Sequence, residues 1–168
     1  MFNVISDNGA TVSMLAKYNI GSSFKQVNSN NYVAFSGSAG WVHTPGPKEI
    51  DIQTWSLNSY NLVNGYVNKL KNDTGINDIQ GNLITLKELK ILGCSVPGDY
   101  GTGSGGWSCA SSKHKDWLVK NIYWWTRSAS LINSDKVWVL NNGGAVYEAG
   151  YNGKAGVIPV ITIPKNAL

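Results

Sequence analysis

The chain has 168 residues, of which 42% are hydrophobic and only 14% charged, and it carries a net charge of +4. That length fits one domain, residues 1–168, with a core of its own. Against a usual charged fraction of about 25%, the polarity here rests on Asn, Ser and Thr between apolar runs, a surface common outside the cell.

Residues 2–6 and 11–17 alternate apolar and polar around Asp7-Asn8-Gly9. The pattern predicts a hairpin, with Asn-Gly supplying the two positive-φ positions of a type I′ turn. Tyr32-Val33-Ala34-Phe35 is a short strand candidate, and Gly40, Pro45 and Pro47 mark residues 36–48 as loop. A helix is predicted over 56–71, where Leu62, Val63, Tyr66, Val67 and Leu70 form one apolar stripe and Gly75 is a stop signal. A second, two-turn helix follows the capping box Thr85-Leu86-Lys87-Glu88, with Ile84 and Leu89 as the hydrophobic staple and Gly93 at the left-handed C′ position.

Cys94 and Cys109 flank the Gly-rich segment 98–106. A disulfide there would stabilise the fold by roughly 3 kcal/mol and would point to an oxidising compartment. The alternative is a pair of free thiols. The last quarter reads as β. Runs 137–140, 145–147 and 156–163, separated by Asn142-Gly143 and Asn152-Gly153, predict an antiparallel meander. The final run is nearly all apolar, as a central, doubly buried strand would be. Pro159 conflicts with that, which calls for a bulge or an edge at that one position. The first and last strands are expected to pair.

Few residues carry catalytic or metal chemistry. The lysine groups Lys69/Lys71, Lys87/Lys90 and Lys113/Lys115/Lys120 read as solvated helix faces and not as the basic stripe of a nucleic-acid binder. No stretch reaches the roughly 20 apolar residues that span a bilayer, and no basic, then apolar, export signal opens the chain. An extracellular protein of this kind would have had its signal or anchor cut off, or would be released by lysis, as phage proteins are. His43 and His114 read as loop residues, and Glu49 and Asp51 as exposed carboxylates on one strand face. Cys94 and Cys109 lack the paired spacing of a zinc site. No metal, cofactor or enzymatic activity is expected. Asn72-Asp73-Thr74 fits a glycosylation sequon and is read as chance.

Aromatic residues are more informative. Trp41, Trp55, Trp107, Trp117, Trp124, Trp125 and Trp138 are many for this length. Trp124 and Trp125, on a strand, face opposite sides: one core, the other core or surface. Arg127 would share a face with Trp125, stacking on it or pairing with a carboxylate. For ligand contact the favoured residues are Asn141, Asn142, Tyr147, Tyr151 and Asn152, because Tyr with Asn combines rigid contact area and adaptable hydrogen bonds. The plainer alternative is that they are hairpin tips only.

Four segments carry a resemblance. They are Val12 to Ile20, the capped segment Ile84 to Cys94, the aromatic block Tyr123-Trp124-Trp125-Thr126-Arg127-Ser128-Ala129, and the ending Gly156-Val157-Ile158-Pro159-Val160-Ile161. Together they resemble the C-type-lectin-like domains of bacterial and phage surface proteins, among them receptor-binding and diversified surface proteins. The resemblance implies an α+β fold in which two helices pack on a twisted antiparallel sheet with a long loop region. It implies an extracellular, cell-surface or virion module that binds a protein or a glycan, with self-association left open. The Glu-Pro-Asn or Gln-Pro-Asp and Trp-Asn-Asp triplets of calcium-dependent sugar binders are absent. The rival readings are a structural, pilin-like or phage tail subunit, and an enzyme of the formylglycine-generating kind, which shares a related fold and uses reactive cysteines.

Overall fold

The alternating N-terminal runs form an antiparallel hairpin of β1 (Phe2–Asp7) and β2 (Thr11–Ala16). The structure is a computed structural model that describes residues 1–21, 27, 29–36, 46, 49–50, 58–101 and 105–168. His43, Asp51, Trp41, Trp55 and most of the predicted loop 36–48 lie outside the described residues.

The final run becomes β9 (Pro159–Pro164), which sits between β2 and β4 (Gln80–Leu83) in a four-stranded antiparallel sheet of order β1-β2-β9-β4. It is therefore central, as its two apolar faces require, with Val160 and Ile161 buried. Pro159 is its first residue and pairs with Leu83, while the β2 ladder stops at Val160. The proline stands at the end of one ladder and needs no bulge. The last strand thus pairs with the second, and β1 is left at the sheet edge.

The expected meander is corrected in one strand. β6 (Lys136–Leu140) and β7 (Val146–Gly150) pair as predicted. Their third partner is β5 (Trp124–Ala129), giving the order β5-β6-β7. After Asn152-Gly153 the chain leaves this sheet. Lys154–Ala155 (β8) pairs with Val33–Ala34 (β3), and β9 joins the other sheet. An apolar strand gains more from two partners there than from an edge place here.

Consecutive β5 residues face opposite sides, and both sides are covered. Trp125, Val137 and Val139 pack with Leu62, Val63, Tyr66 and Val67 of helix α1 (Asn58–Thr74). Trp124, Trp138 and Leu140 pack with Leu86 and Leu89 of helix α2 (Leu86–Ile91) and Leu118 of the short helix α3 (Lys115–Leu118). Trp124 and Trp125 are both fully buried. Gly81 lets α1 lie close to β4, since a Cβ there would come within 2.3 Å of Val67 Cγ2.

The capping box on α2 is complete. Thr85 Oγ1 accepts from the Glu88 N–H at 3.0 Å, and Glu88 Oε2 accepts from the Thr85 N–H at 2.8 Å. At the other end Gly93 has φ +85°, its N–H reaches Lys90 O, and the Cys94 N–H reaches Leu89 O, the two bonds of a Schellman motif. The class is α+β, with three antiparallel sheets and few helices among the described residues.

None of the three turns marked by Asn8-Gly9, Asn142-Gly143 and Asn152-Gly153 is of the expected type I′, because no asparagine among the described residues has positive φ. Gly9 alone is left-handed in the first hairpin, where Asn8 Oδ1 accepts from the N–H groups of Ala10 and Thr11. At Asn142-Gly143 the left-handed residue is the next one, Gly144, with φ +83°. The asparagine side chains close these turns by hydrogen bonding, in place of a left-handed backbone.

Candidate functional site

β7 separates the five candidate contact residues into two groups. Asn141 and Asn142 lie in the turn before it, and Tyr151 and Asn152 in the turn after it. Five antiparallel residues at about 3.4 Å each put roughly 17 Å between those turns. Tyr147 is near the first turn. The five residues therefore do not converge on one spot.

At the first end Asn141 Oδ1 accepts from the Gly143 and Ala145 N–H groups at 2.8 and 2.9 Å. Its acceptor shapes the turn, while Asn142 is exposed at the tip. Beside this turn Tyr147 meets Tyr123 edge-on, with centroids 6.3 Å apart, and Tyr123 meets Tyr32 at the same distance. The Tyr123 N–H donates to Tyr32 Oη at 2.8 Å. Three rings from three segments make a row, with Tyr123 37% exposed. Burial, then the Tyr123 and Tyr32 phenols, push the Tyr147 phenol above its ordinary value. Tyr123 was legible as part of the aromatic block. Nothing local ties Tyr32 to it, since the two are far apart in sequence.

This end has a braced base. Cys94 and Cys109 form a disulfide. The Cys109 N–H donates to Gly144 O at 2.8 Å and the Val146 N–H to Trp107 O at 2.9 Å. Val119 would meet a Cβ on Gly144 at 2.7 Å. Val119 also lines a depression of about 430 Å³ bordered by Lys17, Tyr18, Trp117, Lys120 and Asn121. Lys120 departs from the expected solvated helix face: it is half-buried, and its Nζ donates to Lys17 O and Trp117 O at 2.9 and 3.0 Å. Burial, then repulsion by Lys17, lowers its ammonium to about 8.

At the second end Tyr151 is half-buried against the core. Its N–H donates to Asp135 O and its carbonyl accepts from the Ser36 N–H. Asn152 is exposed. Glu148, whose side chain is 7% exposed, accepts from Ser130 Oγ and from Asn133 Nδ2 at 3.0 Å, with Lys136 Nζ at 4.0 Å.

The remaining candidates are structural. Glu49 is not a free carboxylate: it accepts from Tyr100 Oη and from Ser128 Oγ at 2.8 Å, and Ser128 Oγ in turn accepts from the Leu86 N–H. Arg127 makes no ion pair among the described residues, and its buried Nε has no acceptor there. Its backbone instead links Ile84 and Ile50. His114 packs on Trp117 at 5.1 Å. Asn72 lies in the last turn of α1, where Thr74 Oγ1 bonds Leu70 O. Among the described residues no helix is long and apolar enough to cross a membrane. No family model, curated protein or solved structure matches the chain.

Proposed function

We propose that the chain is an extracellular binding module of the C-type-lectin-like kind, recognising a protein or a glycan at the end of the β5-β6-β7 sheet that carries Asn141, Asn142 and Tyr147. The observation that carries this reading is the row Tyr32–Tyr123–Tyr147. Edge-to-face tyrosines from separate segments present rigid aromatic area with polar tips, the chemistry of recognition hot spots. The disulfide and the bonds from residues 107–109 hold the base of the turn, while Asn142 stays exposed. Tyr151 and Asn152 form a separate, secondary contact at the far end. A disulfide is compatible with a location outside the cell.

A structural-subunit reading draws on β1, an edge strand with Val4 58% exposed, which offers another copy a pairing edge. The formylglycine-generating reading ranks last, because the chain's two cysteines are bonded to one another and neither offers a thiol.

The test is a glycan and host-cell binding screen, followed by substitution. Tyr147→Ala and Tyr123→Ala should each weaken the confirmed partner by about 1–2 kcal/mol with Tm near wild type. Asn61→Ala and Asn68→Ala on α1 should leave binding unchanged. Loss of binding in the helix variants, with the tyrosine variants unaffected, would refute the placement.

A further inference from the structure

The depression beside Trp117 holds two cations and no ion pair. Lys120 Nζ is half-buried and donates to two backbone carbonyls, which leaves one of its three N–H groups without an acceptor among the described residues. Lys17 Nζ stands at the rim, 3.5 Å from Met1 Sδ and 5.4 Å from the centre of the Tyr18 ring. The ion pairs among the described residues are Lys69–Asp73, Lys136–Glu148 and Lys165–Asp7, so neither lysine has a carboxylate partner. Asp116 lines the same depression and is exposed, but lies beyond ion-pair distance of both. A partly desolvated ammonium is costly unless a negative charge meets it. The fold adds a second ammonium where the first would need an anion.

The walls narrow the class of anion. Trp117 is half-buried and steadied by the His114 ring, so an indole borders the cavity. Asn3, half-buried, and Asn121, exposed, each bring an amide with a donor and an acceptor. An apolar ring face, amides for hydroxyls and paired cations suit a sugar ring bearing a negative charge. About 430 Å³ falls within the roughly 300–1,000 Å³ of small-molecule sites. We propose that this depression is a binding site for an acidic sugar, with Lys120 and Lys17 holding its carboxylate and Trp117, Asn3 and Asn121 its ring and hydroxyls.

The site stands apart from the tyrosine row and does not depend on it. Binding should also follow the protonation of Lys120. Its ammonium is lost through about 8, so affinity falls as pH is raised from about 7 to about 9. Lys17, Tyr18 and Asp116 are the other titratable side chains lining the depression.

Titration of the intact, disulfide-bonded protein with D-glucuronate, followed by amide and indole NMR shifts, tests the proposal. D-glucose serves as the neutral ring and acetate as the bare carboxylate. Glucuronate should shift the Trp117 indole and the Asn121 amide saturably, and both controls should bind about tenfold more weakly or worse. Lys17→Ala, an exposed position, should weaken glucuronate about tenfold with Tm unchanged. Lys120→Gln should abolish binding. Should Lys120→Gln not fold, Lys17→Ala decides alone. Tyr147→Ala should leave glucuronate binding intact, which separates this site from the tyrosine row. Absence of a saturable shift, a match by glucose or acetate, or an unaltered affinity in Lys17→Ala would overturn the proposal.

Discussion

The two ends of β7 carry the same dipeptide and differ in almost everything else. Asn142-Gly143 closes a turn whose base is held by bonds from Cys109 and to Trp107, residues over thirty positions upstream. Asn152-Gly153 closes a turn by a single backbone bond, Gly153 N–H to Gly150 O at 2.9 Å. Its neighbours are tied down by Asp135 and, through the short loop after β5, by Glu148. The first end is braced covalently and the second by a buried carboxylate. A local sequence signal thus locates a turn, but what makes it rigid enough to present side chains arrives from distant segments.

The largest effect should come from breaking the covalent brace. The disulfide closes a loop with a sequence separation of 15, and replacing both cysteines by serine should cost about 3 kcal/mol, read as a fall in Tm. Hydrogen exchange sharpens the comparison. The Cys109, Gly144 and Val146 amides should lose more protection than the Tyr151 and Gly153 amides. Equal acceleration at both ends would mean that the disulfide braces the whole domain and not one face.

Breaking the other brace should cost somewhat less and act on the opposite end. Glu148→Ala leaves Ser130 Oγ and Asn133 Nδ2 without their shared acceptor. A loss of about 1–3 kcal/mol is expected. Exchange should now quicken at Tyr151 and Lys136 and spare Cys109. A chemical-denaturation series with unchanged midpoint would show that Glu148 contributes nothing to the far end.

Most of the local grammar was legible. The capping box at Thr85, the staple, the left-handed Gly93, the apolar stripe of α1 and the central position of the final run all follow from residues adjacent in sequence. What was not legible depends on partners chosen at long range. β9 reads as the third meander strand because Asn152-Gly153 precedes it. Its two apolar faces are satisfied instead between β2 and β4, and periodicity cannot name those partners. Asn-Gly marked each turn but not its type, since Asn8 and Asn141 close their turns through side-chain acceptors. Lys120 read as one of a solvated group, and only the packing of residues 17–19 against 117–122 makes it a half-buried cation. The tyrosine row joins positions 32, 123 and 147, a grouping no spacing rule contains.

A smaller effect separates the two turns themselves. Asn141→Ala removes the acceptor for two backbone N–H groups and should cost about 1 kcal/mol. Asn152→Ala removes an exposed side chain that makes no hydrogen bond among the described residues, and should stay within about 0.5 kcal/mol. Denaturant midpoints measured side by side check this. Equal costs would show that the asparagine side chain is not what distinguishes the turns.

The smallest effect is also the most local report on the braced end. In the folded chain the Tyr147 phenol titrates above its ordinary 10.0, first because burial disfavours the phenolate and then because Tyr123 and Tyr32 stand beside it. A raised value means that, above about pH 10, the unfolded chain releases this proton while the folded one keeps it. The stability tied to Tyr147 is therefore complete below the unfolded value of 10.0 and is lost as pH rises through the higher folded value. Ultraviolet difference titration of wild type against Tyr147→Phe should isolate one phenol with a midpoint above 10.0. The Tm of wild type should fall more steeply than that of Tyr147→Phe across the same alkaline range. A midpoint at or below the ordinary value would mean that water reaches the ring on all sides. The row would then not be packed, and the braced end would lose the rigid aromatic surface on which its proposed recognition depends.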